Sequence, residues 1–299
     1  MTMKQYSKVT KAVIAAAGYG TRFLPATKNQ PKEMLPIIDK PIVHYLVEEA
    51  VNSGIEEIIL VTRAGNHIME DYFDNRSDLE NSLEKDGKLK YLEIVQSIPQ
   101  MANFVYVRQK NHLPYGNGSP LLTVKELIDN DEAFVYMFGD DLTLSDVPVT
   151  KQLIDVYHEQ HPAAVLAVQE VPWSEVERYG SVKYKENAPY KYTMERGYEK
   201  LPKDQAPSNK VQFGRFVFSY DVIEAAVNTA TGKDGELWLI DILNGLVDAG
   251  KTVIAQPIEG EWLTTGDPLR YLKTTLKFAM QRDDLKDELK TFIKDEIIK

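Results

Sequence analysis

A loop near the start of the 299-residue chain concentrates the residue types that bind phosphate groups. It runs from Gly18 to Pro41, reads GYGTRFLPATKNQPKEMLPIIDKP, and joins two glycines to Arg22, Lys28 and Lys32. Glycines let the backbone approach a ligand closely and leave amide N–H groups free to face an anion. The prolines of the segment hold it in a non-helical shape. Cations fixed beside free amides suit phosphoryl or nucleotidyl transfer, because such catalysis is mostly positioning and charge stabilisation.

Two familiar phosphate-binding fingerprints are absent from this loop. A dinucleotide-binding loop would need a third glycine where Phe23 stands, and a P-loop would need a Gly-Lys-Ser or Gly-Lys-Thr ending. Two alternatives are left. The segment is either a glycine turn that presents cations to a phosphate ligand or a proline-rich surface loop whose charges are solvated.

A pair of acidic residues is a second candidate for chemistry. Asp140 and Asp141 follow Gly139 and the predicted strand Phe134–Phe138. Carboxylates at the carboxyl end of a strand that faces a phosphate loop are well placed for Mg²⁺, which prefers oxygen ligands and substrate phosphates. Two turn-forming acids are the alternative. The histidines show neither zinc spacing nor a catalytic partner, so we expect surface or packing roles for His44, His67, His112, His158 and His161.

The composition excludes several classes of protein. The chain has 35 Lys and Arg against 45 Asp and Glu, a net charge of −10, and 43% of its residues are hydrophobic. This balance is typical of an ordered globular protein and argues against nucleic-acid binding. No apolar run approaches the roughly 20 residues that span a bilayer, and Met1–Val9 has no hydrophobic signal core, so we expect a cytoplasmic protein without membrane contact. The lack of cysteine rules out disulfides, thiolate nucleophiles and cysteine zinc sites.

Apolar runs alternate with helical patterns along the first half of the chain. The apolar residues of Val43–Val51 recur at helical spacing, and Gly54 follows where a helix would end. Short apolar runs predict strands at Lys11–Ala17, Glu57–Thr62, Phe104–Gln109, Phe134–Phe138 and Ala163–Val168. Strands separated by crossover helices predict an α/β fold, a Rossmann-like, doubly wound and mostly parallel sheet. Ligands bind such sheets beyond the carboxyl ends of the strands, where Gly18, Gln109 and Gly139 are expected.

The second half of the chain has a different pattern of residue types. Short, aromatic and β-rich segments predict further strands at Ser181–Tyr184, Tyr192–Tyr198 and Val211–Tyr220. Because no Gly/Ser linker separates the halves, we expect two lobes, residues 1–150 and residues 151–299, that share one continuous core. The apolar residues from Leu285 to Ile297 predict an amphipathic C-terminal helix, which packs onto the body or onto a second subunit.

The loop from Gly18 to Pro41 closely resembles the signature of the bacterial sugar-nucleotide pyrophosphorylases, a nucleotidyltransferase family with a glycosyltransferase-A-like fold. The segment Asn66–Val95 looks like the helical insertion of the uridylyltransferase branch, which the shorter thymidylyltransferases lack. The resemblance covers nearly the whole chain, with further matches at Val107–Gln109, Phe138–Leu142, Tyr179–Val182, Glu199–Lys200, Ala206–Asn209 and Gly214–Phe216.

This resemblance implies roles for individual residues. The implied catalytic cations are Arg22 and Lys32, and the implied metal-binding carboxylate is Asp140. The residues implied to contact the base, the ribose or the triphosphate are Ala17, Gly18, Gly20, Thr21, Gln109, Gly116 and Asp140. The residues implied to bind the sugar phosphate, in the second lobe, are Gly180, Glu199, Lys200 and Gly214.

The resemblance also implies a reaction. UTP and glucose 1-phosphate would give UDP-glucose and pyrophosphate with Mg²⁺ as cofactor, by in-line attack of the sugar phosphate on the α-phosphorus. No general base is needed, because a phosphate monoester is already an anion near neutral pH. Members of the family usually form dimers or tetramers, so a homo-oligomer is expected.

Three departures from the family pattern leave alternatives open. Gly116–Leu121 and Gly235–Asp241 differ from the family's base-loop and sugar-pocket patterns, which allows another nucleotide such as dTTP, or another sugar phosphate. Thr264 stands where the family has a second metal-binding aspartate, and threonine offers only a neutral oxygen. Either Asp267 or Asp141 supplies the missing charge, or the metal relies on phosphates and water, or the chain is a catalytically weak binder of UDP-sugars.

Overall fold

A computed structural model describes residues 8–65, 67–232 and 235–298. Most of Met1–Val9, the segment without a hydrophobic signal core, lies outside the described residues. Asn66, the first residue of the expected helical insertion, also lies outside them. Within these ranges the strands β1 to β13 are Lys11–Ala15, Pro36–Ile37, Lys40–Pro41, Glu57–Thr62, Asn103–Arg108, Ala133–Phe138, Asp141–Leu144, Ala164–Glu170, Gly180–Tyr184, Met194–Glu199, Lys210–Ser219, Val253–Pro257 and Glu261–Thr264. The helices α1 to α10 are Ile42–Asn52, Ile68–Tyr72, Ser77–Lys85, Leu89–Ser97, Ser119–Val124, Val149–Gln160, Asp221–Asn228, Leu239–Asp248, Pro268–Ala279 and Lys286–Phe292.

One large mixed sheet runs through the molecule. In the described ranges it has nine strands, with β5, β4, β1, β6 and β11 as successive neighbours, β8 and β12 beyond β11, and β9 and β10 joined to one end of β11. The pairs β1–β4, β1–β6, β4–β5 and β8–β12 are parallel, while β11 runs antiparallel to β6 and to β8. The predicted α/β fold with a mostly parallel sheet is confirmed.

The central strands form because their apolar runs are buried on both faces of the sheet. Residues Ala12 to Ile14 of β1 and Ile58 to Val61 of β4 have no exposed surface. The predicted strand Lys11–Ala17 ends two residues early, at Ala15, because the chain there leaves the sheet for the loop. Helix α1 covers the sheet with its apolar side and ends before Gly54, whose positive φ of 93° suits a residue without a side chain.

A buried ion pair ties α1 to β11 in the core. The Arg215 guanidinium is fully buried and donates from Nε and Nη2 to the Glu49 carboxylate, at 2.9 and 2.7 Å. Thr150 and Thr143 donate to the same carboxylate. Burial raises the pKa of Glu49, but Arg215 and these hydrogen bonds outweigh burial and hold the pKa below its usual value. This cluster joins α1 to β11, β7 and α6, and loss of either charged partner would leave the other charge buried and uncompensated.

The C-terminal helix keeps much of its apolar face in solvent. The predicted amphipathic segment forms α10 and a π turn at Ile293–Ile297. Leu285 and Leu289 are half-buried, whereas Phe292 is 51% exposed and Ile297 is 63% exposed. Packing onto the body, one of the two expected arrangements, is therefore only partial. Among the described residues, no helix is long and apolar enough to cross a membrane.

Candidate active site

The glycine loop folds back on itself after β1. Gly20 has a φ of 62°, and a short 3₁₀ turn, Thr21–Phe23, follows it. The Thr27 hydroxyl donates to the Gly20 carbonyl at 2.8 Å, and a Cβ added to Gly20 would lie 3.3 Å from the Lys32 Cβ. The positive φ favours glycine, the close approach leaves little room for a side chain, and the later part of the loop comes back beside its start.

The loop meets the end of β6 through one ion pair. Lys32 Nζ lies 2.5 Å from Asp140 Oδ2, and each side chain is about one-fifth exposed. Burial lowers the pKa of Lys32, but the carboxylates of Asp140 and Glu33 outweigh burial and hold the pKa above its usual range. Two residues that the sequence analysis assigned to one site, 108 positions apart, are thus in direct contact.

Glu33 is a buried carboxylate that the sequence analysis did not identify. It is 1% exposed, and neither of its oxygens has a hydrogen-bond partner among the described residues. Burial raises the pKa of Glu33 to about 7, against the opposing effect of Lys32 Nζ, which lies 4.0 Å away. A Cβ on Gly139 would lie 2.7 Å from the Glu33 Cγ, so the chain passes Glu33 with no room for a side chain. The sequence contains no signal for this burial, because Glu33 stands in a loop among charged residues.

Thr264 lies beside Asp140, as the resemblance implied. A Cβ added to Gly266 would be 3.3 Å from Thr264 Oγ1, 3.5 Å from Asp140 Oδ2 and 3.6 Å from Arg22 Nη1. The Asp140 carbonyl accepts from both the backbone N–H and the hydroxyl of Thr265, at 2.8 Å each, which fixes β13 against the end of β6. A hydroxyl, a carboxylate and a guanidinium therefore surround one small space.

Asp141 and Asp267, which the sequence analysis considered as replacements for the missing aspartate, already accept hydrogen bonds from other residues. Asp141 accepts from Trp262 Nε1 at 2.8 Å and from the Gly214 N–H at 2.9 Å, so both of its oxygens hold neighbouring strands. Burial and the neighbouring Asp140 charge raise the pKa of Asp141 to about 6. Asp267 caps α9 and accepts from Arg270 and from Arg178, both through its Oδ2 at 2.9 and 3.0 Å.

The residues present fit a magnesium ion that relies on its substrates. In residues 8–65, 67–232 and 235–298, no three Asp, Glu or His side chains group as a metal site would require. Mg²⁺ is commonly held by one or two protein carboxylates together with substrate phosphates and water. Asp140 satisfies the minimum of that arrangement, with the Thr264 hydroxyl as a neutral neighbour. A site built from protein carboxylates alone does not fit.

A cationic pocket of 350 Å³ adjoins Thr264. Its lining has four cations and one carboxylate, and consists of Arg22, Arg178, Tyr179, Lys200, Thr264, Gly266, Asp267 and Arg270. In a chain with net charge −10 this is a local excess of positive charge, and it suits phosphate groups. The sequence analysis missed Arg178 and Arg270. The first directly precedes a matched motif, Tyr179–Val182, which is the only signal that could have indicated it.

Three of the residues assigned to the sugar phosphate lie together. Gly180 pairs with Glu199 across β9 and β10, and a Cβ on Gly180 would lie 3.0 Å from the Glu199 Oε2. Lys200 Nζ is 3.4 Å from Glu199 Oε1 and 4.8 Å from the centre of the Trp238 ring. Burial raises the pKa of Glu199. Gly214 is buried and donates to Asp141, so its predicted contact with the sugar phosphate stays a prediction.

The residues assigned to the base lie at the carboxyl ends of the strands. A Cβ on Gly18 would meet nothing within 4 Å, so this side of the loop, which Ala17 precedes, faces open space. Gln109 follows β5, and its N–H donates to the Thr62 carbonyl at 2.8 Å. Gly116 has a φ of 128°, and a Cβ there would lie 2.3 Å from the Leu237 carbonyl oxygen, which requires glycine.

A loop that carries Arg22 and Lys32 and faces Asp140 at the carboxyl ends of a mostly parallel sheet defines a class of enzymes that transfer phosphate-containing groups. The family model for nucleotidyl transferases matches residues 11–281, and the chain belongs to this family. It is a nucleotidyltransferase enzyme, and the resemblance inferred from the sequence is confirmed.

Individual members of the family are similar to the chain over nearly its whole length. The chain is 42% identical over 287 residues to a UTP–glucose-1-phosphate uridylyltransferase of Staphylococcus epidermidis, across 96% of this chain and 98% of that protein. It is similar to the crystal structure of a UDP-glucose pyrophosphorylase complexed with UDP-glucose, with a TM-score of 0.80 and 35% identity over 92% of this chain and 100% of that one. A UTP-bound UGPase from Acinetobacter baumannii gives a TM-score of 0.86 and 33% identity, over 96% and 99% of the two chains.

Proposed function

We propose that the chain catalyses Mg²⁺-dependent uridylyl transfer, forming UDP-glucose and pyrophosphate from UTP and glucose 1-phosphate. The observation that carries the proposal is the convergence of Lys32, Asp140 and Arg22 beside a cationic pocket that also reaches Lys200. The names of the relatives supply the substrates. In this proposal residues 1–150 hold the nucleotide and residues 151–299 hold the sugar phosphate, within a cytoplasmic homo-oligomer.

The nucleotide is proposed to lie across the glycine loop. Ala17 and Gly18 are proposed to contact the base and ribose, which the open space beside Gly18 supports. Gln109 and Gly116 are proposed to read the base by hydrogen bonds. The backbone of the 3₁₀ turn is proposed to bind the triphosphate, with residues Gly20, Thr21 and Arg22. This arrangement needs no base-specific charge, since uracil is neutral.

The sugar phosphate is proposed to approach from the other side of Asp140. The Glu199 carboxylate would accept from sugar hydroxyls, and Lys200 would pair with the phosphate. Gly180 leaves the space for this approach, because a side chain there would meet Glu199 and Gln212. Gly214 would act through Asp141, whose Oδ2 accepts from its N–H.

In the proposed reaction one P–O bond forms at the α-phosphorus of UTP and one breaks as pyrophosphate leaves. Lys32 and Arg22 neutralise charge on the reacting and departing phosphates, which is where most of the rate of phosphoryl-group chemistry arises. Lys32 leaves Asp140 to do so, or it contacts the phosphates while paired. Asp140 would hold Mg²⁺, which supplies further charge neutralisation when bound.

A weak UDP-sugar binder is the second candidate, and one observation favours it. Thr264 lies near Asp140, and Asp141 and Asp267 already accept hydrogen bonds through both carboxylate oxygens. Because Glu33 is buried, Asp140 is the one partly exposed carboxylate left for a metal in the described site. A different nucleotide, such as dTTP, or a different sugar phosphate is a variant of the first candidate. The retention of Lys32, Arg22 and the Glu199–Lys200 pair favours turnover.

Pyrophosphate release tests these candidates directly. Purified protein is assayed with UTP and glucose 1-phosphate, with and without Mg²⁺, and with dTTP and ATP in parallel. Metal-dependent release with UTP at about 1 s⁻¹ or faster supports the proposal. Release with dTTP alone moves the assignment to that nucleotide. No release with any nucleotide, while UDP-glucose still binds, identifies a binder.

Matched variants then test the assigned cation. Lys32→Ala should lower kcat by on the order of 10²-fold or more, because it removes a charge beside the reacting phosphates. Lys273→Ala removes an exposed lysine of α9 and should leave kcat unchanged. Equal kcat values for the two variants would contradict the role given to Lys32.

A further inference from the structure

The loop that carries Gly116 is hydrogen-bonded to a segment from the other half of the chain. The Leu237 N–H donates to the Tyr115 carbonyl at 2.7 Å, and the Gly118 N–H donates to the Leu237 carbonyl at 2.9 Å. These two bonds join the loop to residues Leu237–Leu239, which lead into α8. The two stretches that depart from the family pattern are therefore packed against each other.

Asn117 is the centre of this junction. Its side-chain Oδ1 accepts from the Leu239 N–H at 2.7 Å, while its backbone carbonyl accepts from the Tyr136 hydroxyl at 2.6 Å. Leu239 is the first residue of α8, and no side chain of the preceding residue caps this helix. The amide oxygen of Asn117 thus satisfies one of the free N–H groups at the helix start from a distant part of the chain.

The other partner of Asn117 leads towards the Lys32–Asp140 pair. Tyr136 is fully buried in β6, and β6 ends two residues before Asp140. The hydroxyl of Tyr136 donates only to this carbonyl in the described residues, which fixes the height of the loop above the sheet. A movement of Asn117 would therefore shift both the start of α8 and the strand β6, which precedes Asp140.

The segment held by Asn117 also reaches the proposed sugar-phosphate site. Trp238 lies between Leu237 and Leu239, and its ring is 4.8 Å from Lys200 Nζ. The next residue, Ile240, packs so tightly on β10 that a Cβ on Gly197 would lie 2.1 Å from its Cδ1. The position of this segment therefore sets both the ring beside Lys200 and the strand β10, which ends at Glu199.

We propose that Asn117 is a positioning residue that couples the base-binding loop to the Trp238–Lys200 contact, so that nucleotide binding sets the affinity for the sugar phosphate. The inference rests on the proposed function. It requires that removal of one side-chain acceptor changes the binding of both substrates, although Asn117 contacts neither catalytic cation.

Two substitutions separate the acceptor from the size of the side chain. Asn117→Ala removes the acceptor for the Leu239 N–H, whereas Asn117→Asp keeps an oxygen there and places negative charge at a helix start, where it is favourable. A single hydrogen bond of this kind corresponds to about a 2- to 10-fold change in an equilibrium constant. Asn209→Ala is the matched control, because it removes one part-buried hydrogen bond, to the Val171 carbonyl, which joins neither the Gly116 loop nor α8.

The experiment measures KM for UTP and for glucose 1-phosphate, together with kcat and the midpoint of thermal unfolding. We expect Asn117→Ala to raise both KM values about 5-fold, with kcat changed less than 2-fold, and Asn117→Asp to retain wild-type values. Hydrogen exchange at the Leu239 amide provides a readout independent of turnover. Added UTP should slow this exchange in the wild-type protein and not in Asn117→Ala.

Four outcomes would overturn the inference. These are wild-type KM values in Asn117→Ala, a change in KM for UTP alone, equal effects of the Ala and Asp variants, and equal effects of Asn117→Ala and Asn209→Ala. Failure of the proposed function is distinguishable, because the wild-type protein would then release no pyrophosphate from UTP and glucose 1-phosphate. In that case the coupling falls with it, whereas an active wild type with an unaffected Asn117→Ala refutes the coupling alone.

Discussion

Replacement of Thr264 by aspartate tests how this site accommodates a metal. Thr264 Oγ1 and Asp140 Oδ2 each lie within 3.5 Å of one point beside Gly266, so an aspartate at position 264 would place two carboxylates within about 7 Å of each other. Arg22 is the cation nearest to that point, at 3.6 Å. Without a metal the new carboxylate is repelled by Asp140 and attracted by Arg22, so the repulsion from Asp140 is an upper limit of the cost. With Mg²⁺ both carboxylates are attracted to the same ion.

The magnitude follows from this separation. Two unit charges about 7 Å apart repel by about 0.6 kcal/mol in water and about 2.4 kcal/mol at an effective dielectric constant of 20, and the partly exposed site lies between these limits. In a chain of this size such a cost lowers the unfolding temperature of the metal-free protein by a few degrees. Recovery of about 0.6 kcal/mol on metal binding corresponds to about a 3-fold rise in Mg²⁺ affinity, before the direct attraction of the new ligand is counted.

Titration calorimetry with Mg²⁺ and thermal unfolding in EDTA or Mg²⁺ measure both effects. We expect Thr264→Asp to unfold at a lower temperature in EDTA and to be stabilised by Mg²⁺ more than the wild type. Thr291→Asp adds the same charge on exposed α10 and should do neither. An unchanged Mg²⁺ affinity in Thr264→Asp would show that metal binds elsewhere and would refute the reasoning.

Three further predictions test the surroundings of the site. Gly116→Ala should raise KM for the nucleotide and lower stability by more than about 1 kcal/mol, because its Cβ would lie 2.3 Å from the Leu237 carbonyl oxygen; kinetics and urea unfolding check this, and wild-type values would contradict it. Arg215→Met should cost about 3–5 kcal/mol by leaving the Glu49 charge buried, and urea unfolding should show much of this loss restored when Glu49 is also made apolar. The Glu33 pKa of about 7 exceeds its ordinary 4.5, so the folded protein binds more protons and loses stability as pH rises between these values, by up to about 3 kcal/mol; Glu33→Gln should remove that loss in urea titrations at pH 5 and 8 in EDTA, whereas an unchanged slope would contradict it.

The sheet could be predicted from the sequence because most of its strands are local runs of apolar residues. Glu57–Thr62 was predicted with its observed bounds, since a continuous apolar run buried on both faces leaves few other arrangements. The helix from Ile42 was equally accessible, because apolar residues at helical spacing and a following glycine define its inner side and its end. The limits of the predicted strands shifted by a residue or two, as at Ala15, where departure from the sheet depends on the loop beyond it. The strands β7, β12 and β13 were not predicted.

Part of the candidate site was accessible for the same reason. The glycine loop identifies itself by composition, and the resemblance indicated which cations and which aspartate matter. The contact between Lys32 and Asp140 was expected only in outline, as two features at the carboxyl ends of strands. The distance of 2.5 Å from Lys32 Nζ to Asp140 Oδ2 depends on the fold of the loop, in which the Thr27 hydroxyl donates a hydrogen bond to the Gly20 carbonyl.

By itself the sequence determined the α/β class, most strands of the large sheet, the nucleotidyltransferase signature and the missing aspartate at Thr264. Only the tertiary structure decided that Glu33 is buried without a partner, that Asp141 holds strands together, and that Asn117 binds the start of α8. The physical reason is the separation of the residues along the sequence. A hydrophobic period of two or 3.6 residues can be seen in neighbouring positions, whereas these contacts join segments about 100 residues apart. Burial and hydrogen-bond pairing at such distances exist only once the chain has folded.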